Sequence, residues 1–72
     1  MGSVVVLGEA SRVQGYGLGG AVVLIAEEPE EVRDAWHHLP TTAEIVVLTP
    51  RAAAALRDDL VPGARPLTTV IP

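Results

Sequence analysis

Two unbroken aliphatic runs, Val4 to Leu7 and Ala21 to Ala26, are separated by thirteen residues that hold five of the chain's seven glycines. An apolar run with no polar alternation is the pattern of a strand covered on both faces, as in a parallel sheet. A parallel crossover needs a dozen or so residues. The stretch Gly8 to Gly20 is thus just long enough to carry the chain back. Ser11 stands where a cap for a short helix would, with Val13, Tyr16 or Gly17, and Leu18 turned inward. Each internal glycine costs about 1 kcal/mol relative to alanine, so that helix should be short or irregular. Gly15 and Gly20 are the positions where this stretch is expected to resist a larger side chain.

The rest of the chain alternates strand and helix. Glu28-Pro29-Glu30-Glu31 reads as a helix start, with proline tolerated in the first turn and carboxylates favoured at the positive end of the dipole. Val32, Ala35, Trp36 and Leu39 then fall on one stripe, and Pro40 stops the helix. Ala43 to Leu48 is a third strand. Thr49-Pro50 supplies an N-cap and a first-turn proline for a second helix. Ala53, Leu56 and Leu60 mark its buried side, with Ala52 and Ala55 allowing close approach, Arg51, Arg57 and Asp58 outside, and Pro62-Gly63 as its end. Leu67 to Ile71 is a fourth, shorter strand, placed near a sheet edge by its two threonines. The order predicts one α/β domain over residues 1–72: a small four-stranded parallel sheet, flavodoxin-like with strand order 2-1-3-4, flanked by helices. The last strand is followed by no covering helix in this sequence, an arrangement that leaves an edge bare and open to a partner.

Composition removes several classes of function. The formal net charge is −4, all five basic residues are arginines, and no two are adjacent, so no basic footprint for nucleic acid or anionic lipid exists. No cysteine is present, which excludes disulfides, thiolate metal sites and cysteine nucleophiles and fits a cytoplasmic, reducing setting. No apolar run approaches the roughly 20 residues of a membrane span.

Three constellations invite a chemical reading. Gly15, Gly17 and Gly20 match G-x-G-x-x-G, but that fingerprint must follow a strand directly and open a helix, whereas these glycines come late in the crossover. A phosphoryl-accepting receiver would need a carboxylate at the end of the third strand, where Leu48-Thr49 stands, and Glu9 alone cannot both hold a cation and accept phosphate. His37 and His38 are adjacent, so on a helix they diverge by about 100° and cannot ligate one ion together. Trp36 reads as a core anchor, and Glu27 to Glu31 as a solvated helix start. No catalytic, cofactor or metal set emerges from the residues.

Taken in order, Val-Val-Val-Leu-Gly8-Glu9, Gly15-Tyr16 with Leu18 and Gly20, the Glu28-Pro29-Glu30-Glu31 helix start, the strand ending in Thr49, and the closing Val-Ile-Pro resemble the F-subunit family of the V-type and archaeal-type rotary ATPases. Members commonly carry Gly-Asp where Gly8-Glu9 stands and Gly-Phe where Gly15-Tyr16 stands. The resemblance implies a non-catalytic central-stalk rotor subunit with no cofactor, cytoplasmic and peripheral to a membrane-bound complex. It would be clamped on the coiled-coil shaft, the D-subunit of the central stalk, inside the catalytic A and B ring. It would couple rotation to ATP synthesis or hydrolysis and to proton or ion transport. The family normally continues into a C-terminal helix, which this sequence lacks. Placement at the carboxyl-end loops makes Glu9, Arg12, Gln14 and Tyr16 the expected partner-binding residues. The alternatives are a stand-alone small-molecule or nucleotide-binding module and, less favoured, a receiver-like phosphotransfer domain.

Overall fold

A computed structural model describes residues 2–61, 63 and 66–71, with the side chains of 17–19 outside that description. Four strands, β1 (Ser3–Gly8), β2 (Val22–Ile25), β3 (Ala43–Leu48) and β4 (Leu67–Val70), form one sheet in the order β2-β1-β3-β4. Every pairing is parallel. The predicted flavodoxin-like arrangement is therefore present, with β1 central and β4 at an edge. Between β1 and β2 run a single turn of helix, α1 (Ala10–Val13), and a 3₁₀ segment, Gln14–Gly19. Helix α2 (Pro29–His37) joins β2 to β3, and α3 (Pro50–Ala55) follows β3.

Because β1 to β2 steps one way along the sheet and the later connections step the other way, right-handed crossovers put α1 on one face and α2 with α3 on the opposite face. The side chains divide accordingly. Val5 and Leu7 of β1 and Val46 and Leu48 of β3 join Val32, Ala52 and Leu56 in one buried cluster. Trp36, expected as a core anchor, packs against its margin half-buried. Val6 and Val13 are buried as well, outside that cluster.

The α1 face is only partly covered. Val4, Ile45 and Leu67 stand side by side in register across three strands and are 43%, 38% and 45% exposed. Burial of β1 on both faces, expected from its unbroken apolar run, thus holds for Val5 to Leu7 and fails at Val4. A crossover built from four helical residues and a 3₁₀ segment reaches too short a distance to shield the amino end of the sheet.

The second helix also departs from expectation. It ends at Ala55, well before Pro62-Gly63, and residues 56–59 form tight turns instead. The Leu56 amide donates to Ala52 and Ala53 carbonyls, and the Asp59 amide to the Leu56 carbonyl at 2.8 Å. Asp58 and Asp59 would lie at the negative end of any longer helix, where carboxylates are unfavourable. Stopping at Leu56 also seats that side chain wholly in the core. Gly63 adopts a left-handed φ of 80° beyond the turn, and Pro62 lies outside the described residues.

Candidate functional site

In an open parallel sheet the crevice outside the strands' carboxyl ends, where the strand order reverses, is the default place for a site. Here that point lies between the ends of β1 and β3, and Gly8-Glu9 meets Thr49 there. The Thr49 amide donates to the Leu7 carbonyl at 3.2 Å, holding the two strand ends together. Thr49 is fully buried, the one buried polar residue among the described residues. Its hydroxyl donates to Glu9 Oε1 at 2.5 Å and accepts from the Ala52 amide at 3.2 Å, so it caps α3, as predicted, while gripping the loop after β1.

Gly8 explains how so large a group fits. A Cβ built at Gly8 would run into the Thr49 side chain, meeting Oγ1 at 2.6 Å and Cβ at 2.9 Å and Cγ2 closer still. Only glycine lets the two strand ends approach. By contrast Gly15, one of the two positions expected to be demanding, has open space around it and no left-handed φ. The other, Gly20, does need its glycine, with φ of 87°.

Hydrogen bonds hold the Glu9 carboxyl below the usual carboxylate range, first that from Thr49 and then one from its own backbone amide; Arg51 and Arg12 add smaller attractions, against an opposing desolvation. Glu27, read from sequence as a solvated helix-start charge, accepts from the Ala10 amide at 3.0 Å and so ties the end of β2 to the start of α1. The amides of Glu27 and Glu28 both donate to Glu31 Oε1 at 3.0 Å, which lowers the Glu31 carboxyl too. Ser11 is not the cap of α1. Glu9 occupies that position through its backbone, and Ser11 lies exposed inside the helix.

The four expected partner-binding residues separate into two kinds. Glu9 is half-buried and engaged with Thr49, whereas Arg12, Gln14 and Tyr16 are exposed along α1 and the 3₁₀ segment. Tyr16, one of the residues expected to turn inward, is 43% exposed, while Val13 takes the buried place; Gly17 and Leu18 lie outside the described side chains.

Sequence reasoning missed a cleft of 490 Å³ at the opposite, amino end of the sheet. Trp36, Leu39, Leu60 and Val61 form apolar walls, and His37, Thr41, Asp59 and Thr68 add polar groups. Nothing in the residue order announces it, because it arises where the end of α2 meets the turns after α3. His38 is occupied locally, its Nδ1 lying 2.8 Å from the Asp34 carbonyl oxygen. Among the described residues no cluster of three or more His, Asp or Glu side chains could hold a metal ion, and no helix is long and apolar enough to cross a membrane.

Comparison with models of known families finds none that matches this chain, and comparison with curated proteins finds no match.

Two experiments test the junction. Gly8→Ala should cost about 1–3 kcal/mol by overpacking against Thr49, while Gly15→Ala should be neutral or gain up to about 1 kcal/mol by restricting the unfolded chain. Urea denaturation reads both, and equal losses would contradict the assignment. For pH, a carboxyl lowered by folding stabilises above its unfolded value near 4.3 and loses that contribution as pH falls through the folded value. Glu9→Gln should therefore lower the urea midpoint at pH 7, with a deficit that shrinks below about pH 4; a deficit constant from pH 7 to 3 would show that its charge plays no part.

Proposed function

We propose that this chain is a non-catalytic central-stalk subunit of a V-type or archaeal-type rotary ATPase. It binds the coiled-coil shaft and helps couple rotation to ATP synthesis or hydrolysis and ion movement, beside the catalytic A and B ring. The observation that carries this reading is the division of labour in the first crossover. Its one carboxylate, Glu9, is engaged with Thr49, and the start of α1 is tied at the Ala10 amide to Glu27 beyond β2, while Arg12, Gln14 and Tyr16 stand exposed along α1 and the 3₁₀ segment. A tyrosine flanked by an arginine and a glutamine is the mixture that protein interfaces favour, an aromatic anchor with polar neighbours. The order and spacing of the sequence motifs, from Gly8-Glu9 to the final Val-Ile-Pro, supply the resemblance.

The runner-up is a small-molecule-binding module, and the cleft beside Trp36 is the observation in its favour, its volume lying in the range of ligand pockets. Its position counts against it, since ligands of such sheets gather at the carboxyl ends. One set of titrations separates the two. The stalk reading predicts a stable complex with a purified shaft coiled coil at micromolar concentrations, weakened about tenfold or more by Tyr16→Ala, a loss of at least ~1.4 kcal/mol. The module reading predicts quenching of Trp36, the sole tryptophan, by a nucleotide or metabolite panel. No complex with the shaft, together with saturable quenching, would overturn the proposal.

A further inference from the structure

Strand β4 lies at one edge of the sheet and presents an exposed, uncharged row. All four of its residues are exposed, and from Pro66 to Pro72 the sequence carries no charged side chain in a chain of net charge −4. Natural edge strands are usually blunted by charge, bulges or cover. Leu67–Val70 carries no charge and no bulge, its register with β3 is unbroken, and among the described residues no strand pairs with its outer side; only its brevity and the adjacent Pro66 limit it. We propose that β4 pairs antiparallel with β4 of a second copy of this chain, forming a two-fold dimer with a continuous eight-stranded sheet.

The hydrogen bonding selects the register. The Ile71 amide donates to the Leu48 carbonyl at 2.9 Å, so it points toward β3. Alternation along a strand then directs Thr69 and Leu67 toward β3 as well, and turns the N–H and C=O groups of Thr68 and Val70 outward. A two-fold axis perpendicular to the sheet can pass beside Thr68 or beside Thr69. Centring on Thr68 sets Val70 against Pro66, which has no N–H to give. Centring on Thr69 sets Thr68 against Val70 of the second copy twice over, and all four outward N–H groups find carbonyls. Pro66 then falls just outside the paired segment, where no N–H is required. The same register places Leu67 beside Ile71 of the second copy, on the face where Val4, Ile45 and Leu67 already form an exposed row. The apolar row thereby continues across the axis.

Cover distinguishes this edge from the other one. Strand β2 is packed by the 3₁₀ segment, so its edge is less open than that of β4. The β4 edge lies at the far side of the sheet from α1 and the exposed Arg12 and Tyr16, so self-pairing leaves that surface open. Dimerisation through β4 therefore does not depend on the stalk reading.

The interface is small, so the dimer is a weak one that forms with concentration. Sedimentation equilibrium of the whole chain from about 10 μM to about 1 mM, a range that brackets weak association, should show the mass rising from 7.5 kDa toward twice that value. Thr68→Pro and Val70→Pro each remove only an outward N–H, which an edge strand tolerates, and should hold the mass at that of the monomer while the far-UV circular dichroism is unchanged. A second series reads the register without relying on those variants. The chain has no cysteine, and Thr69 faces its own symmetry mate, so Thr69→Cys should be oxidised to a covalent dimer by oxidised glutathione at least about tenfold faster than Thr68→Cys or Val70→Cys. A monomer at every concentration, or equal cross-linking at the three positions, would overturn the proposal.

Discussion

The buried hydroxyl of Thr49 donates to Glu9 and accepts from the Ala52 amide, and the rest of the molecule hangs on that pair of bonds. Thr49 closes β3, starts α3 and touches the loop that leaves β1 for the first crossover. The two halves of a doubly wound sheet separate at this place, since their crossovers lie on opposite faces. A buried polar group left without partners would weaken the core; satisfied on both sides, it joins the two faces. Gly8 is the steric condition for the arrangement, because any Cβ there collides with the threonine.

From this junction follows the character of the crevice. The carboxylate that stands at the switch point is drawn onto Thr49, and Glu27 is drawn onto the amide that opens α1. Both act as pieces of scaffold. The crossover they hold is short, which has two consequences: Arg12, Gln14 and Tyr16 are displayed on a firmly tethered element, and the amino half of that sheet face, at Val4, Ile45 and Leu67, is left without cover. Display at one end and bare apolar surface at the other both follow from so short a connection.

Much of the fold was legible because aliphatic runs and proline positions are local signals. Ala43 to Leu48, the Thr49 cap with Pro50 behind it, and the start of α2 at Pro29 are written in consecutive residues. What escaped was set by contacts distant in sequence. Nothing near Gly8 says that Thr49, far along the chain, will lie against it, whereas the glycine cluster around Gly15 draws attention and yet has open space at that position. The early end of α3 depends on Leu56 finding the core and on Asp58 and Asp59 opposing the dipole. The engagement of Glu9 was equally hidden, so the expected set of four surface residues resolves into three displayed ones and one structural one. The cleft beside Trp36 depends on the placing of turns that no periodicity encodes.

Native-state hydrogen exchange tests the role of the junction most directly. The amides to follow are those of Thr49, Ala52 and Ala26, which donate to the Leu7 carbonyl, the Thr49 hydroxyl and the Gly8 carbonyl. If Thr49 ties the halves of the sheet together, these amides exchange only through global unfolding, with the same free energy and urea dependence as the amides of Val5 and Val46 in the central strands. Exchange of Thr49 and Ala52 by local opening, with β1 and β3 still protected, would contradict the account.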